Sequence, residues 1–333
     1  MKHQIPSKMK VVRQDEAGGK LYITEIPVPK PSKGEVLVKM AAAPFNPSDL
    51  SFLRGTYVQK PKYPVIPGIE GSGIVVASGG GLLANIRLGK RVTCSSSEGK
   101  GGTWAEYMVT SAMRVIPLQK NLTMEQGSML IVNPMTALAF LNIAREEKHH
   151  AVVNNAAASV LGQMLIKLFH KENILLINIV RRQEQVDLLK SLGATYVLNS
   201  SNDDYEEQLT KLTHELNATL LLDAVTGKQT EILVKAAPYG SKILIYSNLT
   251  GDKISVEPRL LIQGNKCINS FYLGGWAAKR NVIQTLKSAR QAQKLAGNAL
   301  SSSIRRKYPL EQAQEALEYY TDNMTGGKIL LTM

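Results

Sequence analysis

A chain of 333 residues is too long for one ordinary core and predicts two globular domains. Its 44% hydrophobic and 20% charged composition suits a protein bathed in water, no apolar run reaches the roughly 18 residues needed to cross a bilayer, and the start MKHQIPSKMKVV lacks the apolar centre of a secretory signal, so a cytoplasmic location with no membrane partner is expected. Lys and Arg outnumber Asp and Glu by 40 to 27, and the resulting +13 favours an anionic partner, whether a phosphorylated cofactor, a CoA-type thioester or nucleic acid, without choosing among them.

The first 120 residues carry short β-rich runs, Glu35 to Met40, Gly71 to Ala77, Lys90 to Cys94 and Trp104 to Thr110, broken by Pro and Gly clusters. They predict an antiparallel, barrel-like domain. From Thr123 the pattern alternates, with strands expected near 151–155, 174–180, 195–199, 218–223, 241–246 and 267–272 and helices at 159–170, 183–192, 204–216, 228–237 and 257–264. That alternation is the mark of a doubly wound parallel sheet. Gly193 closes the second of these helices, and Gly227 and Gly240 mark further turns. After Gly274 a helix from Leu310 to Thr321 and a strand from Lys328 to Thr332 are expected to return to the first domain. Such an arrangement leaves a cleft between domains, where substrates usually bind.

Residues 152 to 182 read as an apolar strand, a small-residue turn, an amphipathic helix and a second strand ending on two arginines, the layout of a dinucleotide site. In the turn Asn155, Ala156, Ala157, Ala158, Ser159, only small side chains let a pyrophosphate approach the backbone at a helix N-terminus. Gly162 falls where the helix packs closely on its strand. An NAD site expects an acid after the second strand, but Arg181 and Arg182 stand there, which suits the 2′-phosphate of NADPH. The strict glycine pattern is absent, with Ala156 and Ala158 near the first two glycine positions, so an ordinary buried βαβ unit is the competing reading.

Cys94 and Cys267 are the two cysteines and lie far apart in sequence, which argues against a disulfide scaffold and against a Cys-rich zinc lobe. His3, His149, His150, His170 and His214 stand in no metal-binding spacing and are expected to be solvated. The basic residues are spread without interleaved aromatics, which argues against nucleic acid.

The segments NPSDLSFLRGTY (46–57), PVIPGIEGSGIV (64–75), GKRV (89–92), GGTWAEYMV (101–109), NPMTAL (133–138), LGATYVLN (192–199) and GGKILL (326–331) together resemble the medium-chain dehydrogenase/reductase superfamily over nearly the whole chain. The resemblance implies an α/β fold, a GroES-like β-barrel catalytic domain (1–123 and 274–333) with a Rossmann doubly wound parallel-sheet cofactor domain (124–273). The alcohol-dehydrogenase branch keeps a zinc-binding Cys in the first segment and a His in the second. Here Asn46 to Asp49 holds no thiol and Ile69 precedes Glu70, so no metal is expected and the zinc-free branch is the better match. Within it the chain is similar both to quinone oxidoreductases of the zeta-crystallin type and to mitochondrial-type 2-enoyl thioester reductases, whose N-G-A-N-S-A-V-G-Q motif is imitated by Asn155 to Gln163.

The resemblance implies hydride transfer from NADPH to a small electron-poor acceptor, a quinone by preference or an α,β-unsaturated carbonyl. Tyr57 falls at the functional tyrosine of the enoyl reductases, where its phenol could donate to the acceptor oxygen; it could equally be an amphipathic edge residue. Asn46 is either a nicotinamide-facing group or a turn residue before Pro47. Thr136 either bonds the cofactor or caps its helix. Asn155, Ala158, Ser159 and Val160 would surround the pyrophosphate, Arg181 and Arg182 the ribose phosphate, and Phe271 and Leu273 the nicotinamide, with Trp276 lining the acceptor pocket. The run 271–276 is alternatively an edge strand that pairs across a homodimer. Lys328 either adds charge near the cofactor or is a solvated lysine. A second class of function, a non-catalytic NADPH- and RNA-binding crystallin-like protein, is also open.

Overall fold

The computed structural model describes residues 5–333; His3 and the first residues of the opening segment lie outside them. The chain forms two compact units. One runs as far as Asn133 and is completed by Ala289–Gly297 and Ser302–Met333, and the other comprises Pro134–Ser288 with Asn298–Ser301.

The first unit begins with the antiparallel pair β1 (Lys8–Arg13) and β2 (Tyr22–Pro27). There follow β3 (Glu35–Pro44), α1 (Pro47–Leu53), β4 (Glu70–Ser78), α2 (Leu82–Arg87), β5 (Arg91–Ser95), β6 (Tyr107–Ser111), β7 (Val115–Pro117) and α3 (Met124–Ser128). β3 is the spine, antiparallel to both β4 and β6. Its run EVLVKMAAAP is apolar on both faces, and the period of two sorts it. Val36, Val38 and Met40 join Val75, Val92 and Val115, whereas Leu37 joins Met9, Val11 and Val109.

After α4 (Val132–Glu146), the second unit is built from β8 (Ala151–Asn154), α5 (Val160–Lys171), β9 (Leu175–Val180), α6 (Gln183–Ser191), β10 (Tyr196–Asn199), α7 (Tyr205–Glu215), β11 (Ala218–Asp223), α8 (Lys228–Ala236), β12 (Lys242–Ile245), α9 (Pro258–Gly264), β13 (Cys267–Ser270) and α10 (Leu273–Ala278). Its six strands are all parallel, in the order β10-β9-β8-β11-β12-β13. The first strand in sequence is thus central, and the winding reverses between β8 and β11. Open sheets of this kind bind ligands at the carboxyl ends of the strands beside that reversal.

The chain then passes through α11 (Val282–Leu295) to β14 (Ile304–Pro309), α12 (Ala313–Asp322) and β15 (Lys328–Thr332). β15 pairs in parallel with β14 and antiparallel with the end of β3, Leu331 opposite Ala43. The core so closed includes Phe45, whose ring centroid lies 4.4 Å from Trp104 and 5.6 Å from Tyr320. Because α4 starts in the first unit and α11 re-enters it, the divisions fall after Asn133 and Ser288 rather than after residues 123 and 273.

The run 271–276 is not an edge strand. β13 stops at Ser270, the Phe271 amide makes a last bond to the Ile245 carbonyl at 2.7 Å, and the Trp276 amide donates to the Tyr272 carbonyl within a helical turn. Gly274 and Gly275 offer no side chain for a pleated surface. His149 is not solvated either: its ring lies between Thr219 Oγ1 at 2.7 Å and Glu147 Oε2 at 3.1 Å, whereas His150, His170 and His214 are exposed.

Candidate functional site

In the second unit, the segment after β8 turns through Asn155 to Ala158 before Ser159 caps α5, its hydroxyl accepting from the Gly162 amide at 3.1 Å. The turn is stitched to both neighbouring strands. The Asn155 amide donates to Leu222 of β11 at 3.3 Å, and the Ala157 amide to Ile179 of β9 at 3.2 Å. A Cβ on Gly162 would stand 2.2 Å from the Ala157 carbonyl oxygen, so α5 lies directly on the turn and only glycine fits. Ala156 has φ of +50°, the left-handed conformation that glycine adopts freely.

The Asn155 side chain braces this turn from inside. Its Nδ2 donates to Asp223 Oδ1 at 2.6 Å and its Oδ1 accepts from the Ala224 amide at 2.7 Å. Asp223, buried at the end of β11, also accepts from the amides of Val225 (3.0 Å) and Thr226 (2.9 Å) and from Thr230 Oγ1 (2.6 Å). Asp223 was not among the expected residues; a carboxylate closing the apolar run TLLL is the sequence signal for it.

Arg181 and Arg182 are exposed just beyond β9, two and three residues past the Ile179 carbonyl that holds the turn. Their backbone is fixed: the Arg181 amide donates to Gln185 Oε1 at 3.2 Å, and Ser201 Oγ donates to the Arg181 carbonyl at 2.8 Å. Arg182 is the N-cap of α6 and pairs with Glu184 at 2.8 Å. The small-residue turn, the first-turn amides of α5 and this guanidinium pair fit a phosphorylated dinucleotide. Thr136 is buried on α4, one helical turn before Phe140, and Phe140 meets the Phe271 ring edge-on at 4.8 Å. Leu273 begins α10, and the Arg280 guanidinium lies 4.1 Å over the Trp276 ring.

In the first unit, Asn46, Asp49, Glu70 and Lys328 form a buried polar cluster. Asn46, fully buried at 0% exposure, caps α1 and bridges opposite charges: Nδ2 donates to Glu70 Oε1 at 3.1 Å, and Oδ1 accepts from Lys328 Nζ. Lys328 Nζ also reaches the Phe45 carbonyl at 3.3 Å. Glu70 Oε2 accepts from the amides of Ile131 and Val132, each at 2.9 Å. The Asp49 oxygens accept from the amides of Asn46 (2.9 Å) and Ile69 (3.1 Å). At 3% exposure Lys328 is no solvated lysine, because two carboxylates and two carbonyl oxygens offset its removal from water.

Burial dominates the titration of this cluster. It raises the Asp49 carboxyl to about 7 against the two amides, raises Glu70, and lowers Lys328. Burial and the Glu70 charge push the neighbouring Cys94 thiol up, so it is an inert core thiol. Among the described residues no group of three or more His, Cys, Asp or Glu is placed to hold a metal ion. Asp49 and Glu70 were also missed; N-x-x-D at the start of α1 carries capping-box spacing. Tyr57 is half-buried beyond α1, its amide donating to the Ser51 carbonyl at 3.1 Å.

Comparison with known proteins agrees with both units. Residues 32–120 match the alcohol dehydrogenase GroES-like domain and residues 160–288 match the zinc-binding dehydrogenase family. The mitochondrial enoyl-acyl-carrier-protein reductase of Mus musculus is 30% identical over 90% of this chain and 81% of its own length. A crystal structure from Mesorhizobium loti, assigned as an NADPH:quinone reductase, superposes with a TM-score of 0.92 at 32% identity, covering 99% of this chain and all of that one (100%). One from Bacillus thuringiensis with the same assignment gives a TM-score of 0.87 at 25% identity, covering 98% of this chain and 99% of that one.

Proposed function

This chain belongs to the zinc-free branch of the medium-chain dehydrogenase/reductase superfamily, and we propose that it is an NADPH-dependent oxidoreductase that reduces a quinone without a metal ion. The observation that carries the reading is the pair of exposed arginines held next to the small-residue turn through Ile179. Bound NADPH supplies the hydride. In the second unit, the α5 N-terminus with Ala158, Ser159 and Val160 would take the pyrophosphate, with Asn155 bracing the turn beneath it. Arg181 and Arg182 would grip the ribose 2′-phosphate in the planar fork geometry that phosphate favours. Thr136, Phe271 and Leu273 would position the nicotinamide. In the first unit, Tyr57 would donate its phenolic proton or a hydrogen bond to the acceptor oxygen as charge develops there. There too, Lys328 and Glu70 would hold the Asn46 amide in one orientation, with the Lys328 charge balanced by Glu70.

A second reading, reduction of a 2-enoyl thioester, is supported by the Mus musculus relative and by the likeness of Asn155–Gln163 to the enoyl reductase motif. Oxidation of NADPH and NADH, each with a quinone and with a crotonyl thioester, separates the readings. Turnover of quinone with NADPH favoured is expected; equal use of both nicotinamides removes the arginine argument. We further propose a homodimer, because β13 stands at the end of its sheet with Cys267 exposed. An RNA titration across salt concentration tests the non-catalytic alternative, for which contacts to phosphates require a steep salt dependence.

A further inference from the structure

On the first unit, α2 and the 3-10 turn Ala112–Arg114 lie together and hold bulky apolar side chains out in solvent. Leu82 is 81% exposed, Met113 68% and Ile86 54%, with Leu88 beside them. The local sequence GGGLLANIRLGK explains the geometry. Leu82 and Ile86 stand one turn apart on the outer face, while Ala84 is buried and anchors the helix to Val75, Val92 and Val115. Backbone bonds draw a third segment alongside: the Gly34 amide donates to Gly80 and the Ala112 amide to Gly34, both at 2.9 Å.

Cations ring this protrusion. Lys33, Lys90 and Arg114 are exposed on the three segments. Across residues 32–35, 79–91 and 111–114 the single acid is Glu35, and it is tied to Lys100 at 3.2 Å and to the Ser32 amide at 2.9 Å. The apolar side chains project rather than line a groove. A convex apolar knob encircled by uncompensated lysines and arginines matches the boundary between lipid headgroups and acyl chains, where the knob is dehydrated and the cations meet phosphates.

We propose that α2 and the Ala112–Arg114 turn form a docking site for an anionic membrane surface. Leu82, Ile86, Leu88 and Met113 enter the headgroup boundary, and Lys33, Lys90 and Arg114 contact lipid phosphates. Among the described residues no helix is long and apolar enough to cross a membrane, so the contact is peripheral. The proposal does not depend on the assigned reaction, though it would bring the protein to acceptors dissolved in lipid.

Flotation of the full chain with vesicles of phosphatidylcholine, alone or mixed with phosphatidylglycerol, tests it. Binding to the mixed vesicles is expected, much weaker on phosphatidylcholine alone and reduced by salt. Leu82→Gln with Ile86→Gln leaves the net charge at +13 and is expected to abolish flotation with unchanged circular dichroism and NADPH oxidation. Lys33→Gln and Arg114→Gln are each expected to weaken binding by about fivefold. No binding to the mixed vesicles overturns the proposal. So does undiminished binding of the Leu82/Ile86 variant, which would mean that overall basicity alone attracts the vesicles. Capture of an acidic protein by this face without vesicle binding would overturn it in favour of a protein partner.

Discussion

Asn155 and Asp223 are joined by a buried hydrogen bond of 2.6 Å that ties the turn after β8 to the end of β11. The two strands flank the point where the sheet reverses its winding, so this one contact fixes the loop nearest the expected pyrophosphate. Asp223 accepts four hydrogen bonds in all, from Asn155, Val225, Thr226 and Thr230. Asp223→Asn turns an amide NH2 against some of those donors and is expected to cost about 2–3 kcal/mol. Urea denaturation should show a lower midpoint, and calorimetry a weaker affinity for NADPH.

Arg181→Glu should lower the ratio of kcat/KM for NADPH over NADH by at least about tenfold, the size of one lost charge-assisted bond. Arg181 is exposed, so the melting temperature should stay where it was. Arg182→Glu should give a smaller change, because Arg182 already pairs with Glu184. Steady-state kinetics with both nicotinamides checks this.

Ala156 occupies a left-handed backbone position at φ +50°. Relief of that strain by Ala156→Gly is worth about 1–2 kcal/mol, against which the looser unfolded chain costs about 0.4–1 kcal/mol. The variant should therefore be more stable by about 0.5–1 kcal/mol in chemical denaturation. A loss of stability would contradict the backbone assignment.

The Asp49 carboxyl, raised from 3.8 to about 7 by burial, binds its proton more tightly folded than unfolded. Stability from this group is therefore complete below pH 3.8 and is lost as pH rises towards about 7. Denaturation midpoints measured between those limits should fall with rising pH, and Asp49→Asn should flatten that slope.

Tyr57→Phe should lower kcat by about a hundredfold, at the low end of what one proton donor contributes, while the affinity for NADPH stays unchanged. An unaltered kcat would remove Tyr57 from the chemistry.

Regular elements were legible wherever pattern and burial agree. The inner strands β8, β9, β11 and β12 are largely apolar runs bounded by turns, and all six parallel strands occur within a residue or two of the expected positions. The helix Val160–Lys171 followed from its cap, its apolar stripe and Gly162. Side-chain partnerships were not legible, because they join residues that sequence places far apart. Lys328 looks like any lysine after a Gly-Gly pair, and only the tertiary fold brings Glu70 and Asn46 to it. Asn155 carried the right type at the right turn, yet the partner that consumes its amide lies on β11. The 271–276 run misled because aromatic residues on both sides of Gly274 and Gly275 mimic a strand, while the backbone bonds make a helical turn.

The ammonium that seals the corner at Asn46 is supplied 282 residues later in the chain. A ribosome must therefore synthesise the whole of Pro134–Ser288, the continuous segment that carries all six parallel strands, before the N-terminal β-rich region can acquire its counter-ion and its last strand. During that interval Glu70 and the edge of β3 await their partners, and the nascent chain is most vulnerable to aggregation there.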